Sequence, residues 1–600
     1  MVTQSEIRQT YQSRLDHRKA QLENLERRIR LISNLRLTVF VLGIVMVVAV
    51  ATTERLPGLW LIFPACAFLL LVVIHDRLFH SREDAGLAID FYHQGLSRID
   101  HTWQGNGVTR DDFVSDDHPF ARALDLFGKG SLYELLCTAW SLAGEETLAR
   151  WLTDFKGLDE IRARQAAVES LRERLDFREQ IVLGTGRIGA TIHPTHLRAW
   201  GEEPPHFTGR GSVFWTVMAC VMAAAGVVSL ILWAATPIGA LPLEIVALGE
   251  LILYLASHRK MEKIHSSVGL PRRELLSLAR LLERLETERF DSPKLVDLQQ
   301  AFTSDGLRAS EQIKKLERIV RWLDMQRNMF FSPMAFILMW GVHFGLAIER
   351  WRNRYGGSIS RWFEAVGQFE ALNAMASYAF EHPEDPFPVF QEGEARFEGE
   401  SMGHPLMPDE ASVQNSVFLN RSCRLWVVSG SNMAGKSTLL RVAGVNAVLA
   451  MIGAPVRAQS LVMSPMSPGS TIQIQDSLAG GTSRFFTEIN RIRHLKELAR
   501  EKGPLLFLLD ELLHGTNSHD RKIGAESIIR GFLDLDAIGL LTTHDLALTQ
   551  IAESLAPLAK NVHFDDRLEG NRLIFDYKLK QGVVKKSNAL ELMRSLGLTE

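Results

Sequence analysis

The sequence predicts an α plus α/β fold, in which transmembrane helical hairpins and a helical domain precede a carboxy-terminal α/β domain with a mostly parallel sheet. Three observations lead to this prediction. Two long apolar stretches in the first half of the chain are each interrupted near the middle. Charged segments whose apolar residues recur at helical spacing separate and follow them. The last third alternates short apolar runs with helical segments around a glycine-bounded loop.

Composition and charge set the broad limits. With 600 residues and a formal net charge of -3, the chain is long enough for several domains. It has no overall basic excess of the kind that indicates nucleic-acid binding, although a local basic patch remains compatible with that charge. The 4 cysteines lack metal-ligand spacing, so the sequence predicts no zinc site and no disulfide framework. This cysteine usage suits a reducing cytosolic environment.

The chain starts with a charged, helix-favouring segment, and we assign residues 1–36 to an N-terminal amphipathic helix. Its apolar residues Leu22, Leu25, Ile29 and Ile32 recur at alternating steps of three and four. This spacing fits a short coiled-coil seam, and it also fits a single helix that lies against its own protein. Because the seam covers so few heptads, we favour the single helix.

Two pairs of apolar spans predict transmembrane hairpins at residues 37–76 and 211–257. Each span has about the 20 residues that are needed to cross a bilayer. Basic residues flank the outer ends of both pairs, so the positive-inside rule predicts a cytoplasmic N-terminus and cytoplasmic soluble parts. The fourth span is the weakest because it carries Glu244 and Glu250, and an intramembrane carboxylate can mark a proton or ion path. The alternative, which we favour, places Glu244 near the outer surface and turns Glu250 towards the helix bundle. We therefore expect a multi-pass protein of the cytoplasmic (inner) membrane, with membrane lipid as a partner.

The soluble segments at residues 77–210 and 258–385 are predicted to form one helical domain in two parts. The apolar stretch from Met329 to Ile348 complicates this assignment. A fifth span there would move the following domain, at residues 386–600, to the far side of the membrane, away from cytoplasmic nucleotide. We therefore predict a buried soluble helix. Prolines between Glu381 and Pro388 indicate the linker into the last domain.

The last domain begins with the strand, loop and helix pattern of a phosphate-binding loop. An apolar strand-like run from Leu425 to Val428 comes first, and a helix-compatible segment follows the loop. The loop fits G-x-x-x-x-G-K-[ST] and comprises Gly430, Ser431, Asn432, Met433, Ala434, Gly435, Lys436, Ser437 and then Thr438. In this motif the backbone N–H groups surround the phosphates, the lysine reaches the β- and γ-phosphates, and the hydroxyl holds Mg²⁺. The alternative, a chance glycine-rich turn, does not explain the flanking strand and helix.

Two later strand ends supply the other groups of a nucleotide-hydrolysing site. The apolar run from Leu505 to Leu509 is typical of a central parallel strand, and it ends in Asp510 and Glu511. Asp510 is placed to hold Mg²⁺ together with Ser437, and Glu511 is placed to polarise the attacking water. His544 follows a further strand-like run and is placed to contact the γ-phosphate or a water beside it. An acidic pair alone fits a solvated strand end equally well, but three such ends in this order predict hydrolysis.

These motifs together resemble the ATPase domain of the MutS family of DNA mismatch repair ATPases, within the ABC-type ATPases. The family's loop G-x-N-M-x-G-K-S-T is present at residues 430–438, and its D-x-L-A-x-G-x-S-x-F-x-x-E signature is present at residues 476–488. The D-E-x-x-x-G-T element is present at residues 510–516, and residues 124–171 resemble the start of the family's helical core, or lever, domain. The resemblance implies a Mg²⁺-dependent ATPase whose cofactors are ATP and Mg²⁺.

The resemblance further implies a homodimer through the ATPase domains, with ATP bound at composite sites. Ser483 of one subunit would then act in trans on the γ-phosphate held by the other, although a serine at this position also fits a helix N-cap. Gly481 and Asp520 would lie with Ser483 at the dimer seam. Asn432 would help to position the nucleotide.

Departures from the family pattern bear on the function that it implies. Leu513 and Arg521 stand where members usually carry glycine, and Asn517 replaces a serine or threonine. We expect no mismatch-reading domain, because the first hairpin occupies the region before the lever. We predict a membrane-anchored branch of the family in which ATP hydrolysis moves the lever, with binding of mismatched DNA implied by the resemblance only. The alternative is a membrane mechanoenzyme or transporter-like ATPase that no longer binds DNA.

Overall fold

The protein is described by a computed structural model that covers residues 3–52, 57–113, 115, 118–188, 194–204, 207, 209–267, 272–304, 306–329, 331–472, 484–514, 516–569 and 572–584. Long helices dominate the chain as far as residue 381, and most of the strands follow that point. The fold is therefore mixed, with a helical first part and an α/β last part.

The element bounds follow the chain in order. The helices are α1 Gln4–Thr52, α2 Ile62–Ile99, α3 Leu132–Leu136, α4 Leu142–Thr153, α5 Leu158–Arg172, α6 Leu175–Ile188, α7 Pro194–Glu202, α8 Gly209–Ala235, α9 Leu241–Ser267, α10 Arg272–Thr287, α11 Pro293–Gln300, α12 Ala309–Asp324, α13 Ser332–Ile337, α14 Trp340–Glu381, α15 Lys436–Ile452, α16 Arg484–Lys502, α17 Ser518–Leu533 and α18 Leu546–Ser554. The strands are β1 Thr303–Ser304, β2 Leu307–Arg308, β3 Val389–Phe390, β4 Phe397–Met402, β5 Asn415–Leu419, β6 Leu425–Ser429, β7 Ser460–Met463, β8 Ser467–Ser470, β9 Leu505–Asp510, β10 Ile538–Thr543, β11 Ala559–Glu569 and β12 Arg572–Gln581.

Three helical segments are long and apolar enough to cross a membrane, judged by length and composition within the part of the chain that is described: Gln4–Thr52, Gly58–Ile99 and Gly211–Ala235. Their large apolar side chains point outward, and Leu37 and Leu69 are each 63% exposed. Exposed apolar surface of this extent indicates a contact with a partner or with lipid.

The first of these helices joins two segments that the sequence assigns separately. The boundary expected after residue 36 falls inside α1, because neither proline nor glycine interrupts the chain between Gln4 and Gly43. The first turns of α1 bury Ile7, Tyr11 and Leu15 against α2 and α6. The amino-terminal helix thus lies against its own protein, as the favoured interpretation expects.

The stretch from Met329 to Ile348 is not the single buried helix that the sequence predicts. It contains α13 and the start of α14, separated by Met339 in the left-handed region at φ 46°. Pro333 lies in the first turn of α13, where proline favours the start of a new helix. Met329 is 78% exposed and Met334 is 44% exposed, so only the second half of the stretch belongs to the core. The apolar composition alone could not show which part is covered.

The fourth predicted span falls in α9. Glu250 of this helix is 1% exposed and lies beside Gly226 of α8, so the carboxyl group faces the neighbouring helices. Glu244, in the first turn of α9, is exposed.

Helix α14, with 42 residues, is the axis of the helical part. It packs against α4, α5, α7 and α12, and nearly all its side chains after Trp362 are buried. Its last residue, Glu381, leads into the linker to β3. Residues 382–388 connect α14 to β3, while Glu381, which the sequence assigns to the linker, belongs to the helix.

Two sheets form the last part of the protein. The larger sheet has the order β12-β11-β6-β10-β9-β8, and its pairings are parallel except for the antiparallel pair of β11 and β12. The smaller sheet has the order β3-β7-β4-β5. The three strands that the sequence predicts are present as β6, β9 and β10. Their register sets Ser429 opposite Thr543, and Thr542 opposite Asp510, so these strand ends meet at one edge of the sheet.

A buried carboxyl group in α14 makes stability depend on pH. Glu370 is 2% exposed and accepts hydrogen bonds from the N–H groups of Trp140 (3.0 Å) and Ser141 (3.2 Å). Burial raises its pKa from 4.5 to about 7, and the hydrogen bonds offset part of that rise. Because the folded pKa lies above the unfolded value, the contribution to stability is complete below pH 4.5 and is lost as the pH rises towards 7.

We therefore expect Glu370→Gln to stabilise the protein relative to the wild type at about pH 8, by up to ~3 kcal/mol, and much less at about pH 5. Thermal unfolding of the detergent-solubilised chain at both pH values measures the difference. The same shift in Tm at the two pH values would contradict this origin of the pH dependence.

Candidate functional site

The glycine-bounded loop connects a fully buried strand to a buried helix. Strand β6 ends at Ser429, and α15 begins at Lys436. Gly435 precedes the helix with φ 100°, a conformation that a side chain rarely adopts. The Lys436 ammonium group donates hydrogen bonds to the carbonyl oxygens of Gly430 and Ser431, both at 2.9 Å. The loop therefore encloses its lysine next to the helix N-terminus, where backbone N–H groups favour an anion.

Lys436 also faces two carboxylates. Its Nζ lies 3.9 Å from Glu511 Oε1, and its side chain is 5% exposed. Burial lowers the pKa of Lys436, while the charges of Glu511 and Asp510 oppose that change. The carboxylates thus help to keep a buried ammonium group charged.

An oxygen-rich pair lies beside the loop. The Ser437 hydroxyl donates to Asp510 Oδ2 at 2.8 Å, and the Thr542 hydroxyl donates to the other carboxylate oxygen. The Asp510 N–H donates to Thr471 Oγ1 at 3.0 Å, which fixes the end of β9 against β8. Hydroxyl and carboxylate oxygens are ligands that Mg²⁺ prefers, so Ser437 and Asp510 fit that ion. The sequence did not single out Thr471 or Thr542 for this positioning role.

Glu511 and His544 form the second pair at the same edge. His544 Nδ1 lies 3.0 Å from Glu511 Oε1. Glu511 has φ 49°, and its N–H is held by Thr542 Oγ1 at 3.2 Å. Two residues later, the Leu513 N–H donates to the buried Glu488 carboxylate at 2.7 Å, so the loop after β9 is fixed at both ends. The structure thus brings together the side chains that the sequence assigned to different strand ends.

A cavity of about 710 Å³ opens over the loop. Its wall contains Met402, His404, Met407, Ala411, Ser412, Val413, Asn415, Asn432, Met433, Gly435, Lys436, Ser437, Thr438, Leu439, Val442, Asp510, Glu511, Phe564 and Tyr577. Asn415 connects one wall of the cavity to β12, because its side-chain amide donates to the Tyr577 carbonyl at 2.9 Å and accepts from the Leu579 N–H at 2.8 Å. Burial lowers the pKa of His404 to about 4, so its ring is neutral near pH 7. The volume is in the range of small-molecule sites, about 300–1,000 Å³.

The remaining predicted site residues lie in the loop and at the predicted dimer seam. Ala434 of the loop is buried, whereas Met433 is 85% exposed. Gly481 and Ser483 lie outside the described residues. Asp520 is exposed near the start of α17, where its N–H donates to Asn517 Oδ1 at 2.9 Å.

Comparison with known proteins shows similarity in the carboxy-terminal part of the chain. Residues 426–600 match the family model described as MutS domain V. The chain is 31% identical over 240 residues to the DNA mismatch repair protein MutS of Thermotoga petrophila, and 29% identical over 240 residues to that of Thermotoga maritima. Each alignment covers 40% of this chain and 30% of the relative.

A third relative, the DNA mismatch repair protein MutS of Thermotoga sp. (strain RQ2), is 31% identical over 216 residues, which are 36% of this chain and 27% of that protein. The chain therefore spans less than a third of the length of these curated relatives. The carboxy-terminal part of the chain is thus similar to MutS domain V and to part of these DNA mismatch repair proteins.

Proposed function

We propose that the chain is a membrane-anchored MutS-like ATPase, which hydrolyses ATP with Mg²⁺ and couples hydrolysis to movement of its helical part. One observation supports the proposed ATPase activity most directly. The side chains of Lys436, Ser437, Asp510, Glu511 and His544 converge at one sheet edge, beside a cavity of about 710 Å³. This set supplies a phosphate ligand, a metal ligand pair and a proton acceptor.

The proposed mechanism uses each of these groups. When ATP enters, the loop N–H groups and Lys436 bind the β- and γ-phosphates, and Lys436 gives up its hydrogen bonds to the loop carbonyls. Ser437 and Asp510 would hold Mg²⁺, which neutralises part of the phosphate charge when it is bound. The Glu511 carboxylate accepts a proton from the attacking water. His544, whose Nδ1 lies 3.0 Å from Glu511 Oε1, would contact the γ-phosphate or a water beside it.

We further propose that two copies of the chain associate through their ATPase domains. Ser483 would act in trans on the γ-phosphate of the partner subunit, with Gly481 and Asp520 at the seam. The signature sequence at residues 476–488 supports this arrangement. Phe486, three residues after Ser483, is 55% exposed, and an exposed aromatic side chain beside the signature favours a partner surface.

The proposed coupling starts from the helix that follows the loop. Asn446 of α15 is fully buried, and its side-chain oxygen accepts the Arg457 N–H at 2.8 Å. The Arg457 guanidinium donates to Asp385 Oδ1 at 2.8 Å, and Tyr378 of α14 donates to Asp385 Oδ2 at 3.0 Å. Hydrogen bonds therefore connect the helix at the phosphate loop with the last turn of α14.

That last turn also contacts the first two helices of the chain. Glu381 accepts two hydrogen bonds from Arg98 of α2, at 2.7 and 2.6 Å, and one from the hydroxyl of Tyr11 of α1 at 3.2 Å. Arg98 and Glu381 are at most 5% exposed. We propose that these two sets of hydrogen bonds, joined through the last turn of α14 between Tyr378 and Glu381, transmit a change in nucleotide state to the first hairpin.

The membrane arrangement is part of the same proposal. Hairpins at residues 37–76 and 211–257 would anchor the chain in the cytoplasmic membrane, with the amino terminus and the ATPase domain in the cytoplasm. Residues 77–210 and 258–385 would form the lever, and residues 386–600 would form the ATPase domain. The exposed apolar side chains of α1, α2 and α8 support contact with lipid.

Two versions of the function differ in whether DNA is bound. The name of the relatives, DNA mismatch repair protein MutS, favours a DNA-handling machine. The apolar helices and the net charge of -3 favour the alternative, a membrane mechanoenzyme or transporter-like ATPase that no longer binds DNA.

Phosphate release and DNA binding by the detergent-purified full chain test this proposal. We expect Mg²⁺-dependent release of phosphate from ATP, and its absence would contradict the ATPase assignment. Homoduplex, mismatched and four-way-junction DNA are then titrated across a salt series. A DNA-handling machine loses affinity as salt rises, because phosphate contacts release counterions. Hydrolysis without binding at low salt selects the alternative.

A further inference from the structure

A second cluster of metal-ligating groups lies next to the Mg²⁺ pair. Glu511, His514 and His544 each offer one ligand atom, and these atoms all lie within 4.8 Å of one another. We propose that these three side chains form a site for a divalent transition metal of the Zn²⁺ or Co²⁺ class, and that metal bound there inhibits ATP hydrolysis. The binding site stands on its own geometry, whereas the inhibition rests on the proposed function.

The donor set decides the class of metal. Two imidazole nitrogens and one carboxylate oxygen suit Zn²⁺ and Co²⁺, whereas Mg²⁺ requires oxygen ligands. Three protein ligands leave a coordination position for water. The cluster therefore differs in its chemistry from the adjoining pair of Ser437 and Asp510.

The spacing is close to what such an ion needs. Donor atoms around a tetrahedral Zn²⁺ with bonds of about 2.1 Å lie about 3.4 Å apart. His544 Nδ1 and Glu511 Oε1 already lie 3.0 Å apart, and the rings of His514 and His544 have centroids 5.2 Å apart. Both histidines are exposed, so rotation of the His514 ring closes the remaining gap without disturbing the core.

A half-buried arginine, Arg521, holds the two histidine-bearing segments in place. Arg521 donates to the carbonyl oxygens of Leu513 and His514, both at 3.2 Å, and to that of Thr516 at 2.9 Å. The same guanidinium lies 3.4 Å from Asp545, the residue after His544. Only 14% of the Arg521 side chain is exposed. Arg521 therefore fixes the loop after β9 against the turn after β10, and the ligands are largely positioned before a metal arrives.

The cluster shares its carboxylate with the proposed reaction. Lys436 Nζ lies 3.9 Å from Glu511 Oε1, so the lysine and a bound metal compete for that oxygen. When Glu511 and His544 bind a metal, Glu511 can no longer accept a proton from the attacking water, and His544 can no longer contact that water. Metal binding and hydrolysis are therefore mutually exclusive at this site.

Metal binding is measured first, on the full chain in detergent and without nucleotide. Co²⁺ absorption and the Zn²⁺ stoichiometry are compared for wild type, His514→Asn and the control His519→Asn, whose exposed side chain lies in the following helix. We expect wild type and His519→Asn to bind one more equivalent of metal than His514→Asn does. In His514→Asn the metal affinity of this site should fall more than about tenfold. Equal stoichiometry and spectra in all three proteins would overturn the site.

Phosphate release from Mg²⁺-ATP during a Zn²⁺ titration then tests the consequence, with each protein compared with its own zinc-free rate. Inhibition of wild type and His519→Asn, with His514→Asn resistant, is the expected result. Inhibition of His514→Asn at the same zinc concentration would overturn the proposal. A wild type that binds the additional metal and hydrolyses no ATP would support the site and contradict the proposed function.

Discussion

Glu511→Gln is expected to keep ATP bound while it loses hydrolysis, and Lys436→Ala is expected to lose ATP binding itself. Glu511 lies at the sheet edge as the proposed proton acceptor, and an amide cannot accept the proton of the attacking water. Loss of a general base typically lowers kcat by about 10²–10⁴. Lys436 is the buried cation of the loop, and loss of its charge-assisted hydrogen bonds to phosphate should weaken binding at least ~100-fold.

Equilibrium binding of labelled ATP and phosphate release, measured on the same preparations, separate the two effects. Lys315→Ala, which removes an exposed lysine of α12, is the control and should behave as wild type in both assays. If the two variants lost ATP binding equally, or if Glu511→Gln hydrolysed ATP at the wild-type rate, the assigned roles would be wrong.

Arg98→Met is expected to lower the free energy of unfolding by ~3–5 kcal/mol, because it leaves the Glu381 carboxylate buried and unpaired. The matched control is Arg8→Met. Arg8 of α1 forms an ion pair at 2.8 Å with Asp100, the residue after α2, but both side chains are exposed, and such pairs contribute little. Chemical unfolding in detergent measures both variants. An equally small change in both would contradict the importance of the buried pair.

The same pair tests the proposed coupling. The double variant Arg98→Met with Glu381→Leu replaces two charges by apolar groups, so it should recover most of the stability that the single variant loses. Hydrogen exchange in the first turns of α1 is then followed with and without Mg²⁺-ATP. We expect the wild type to respond to nucleotide and the double variant to respond much less. An unchanged response in the double variant would show that coupling takes another path.

The sequence assigns the groups of the candidate phosphate site to strand ends, and the structure brings those strand ends together. Strands β6 and β9 are continuous apolar runs, as buried parallel strands must be, and the first polar residues after such runs lie at one edge of the sheet. Thr471 escaped this reasoning. Thr471 precedes Asp510 by 39 residues and reaches it because β8 pairs with β9, and no local pattern encodes that pairing.

The helical part was harder to predict for a related reason. Helical periodicity shows which residues are buried but not which element buries them, so the contact of Glu381 with Arg98 has no local signal. The error at Met329 has the same cause, because an apolar stretch looks alike whether protein or lipid covers it. His514 and His544 are likewise separated in the chain, and the proximity of their ligand atoms follows from the pairing of β9 with β10.

The buried contact between Arg98 and Glu381 also imposes an order on biosynthesis. The two residues are 283 positions apart, and Tyr11 is 370 positions from Glu381. At a translation rate of about 5–20 residues per second, the ribosome needs roughly 15 to 60 s to reach Glu381 after Arg98 has been made. During that interval Arg98 lacks its carboxylate partner, because the end of α14 that supplies Glu381 has not yet been made. A nascent chain halted before α14 has been made should therefore be a preferred target of chaperones, because the surfaces of α1 and α2 that contact α14 are still uncovered.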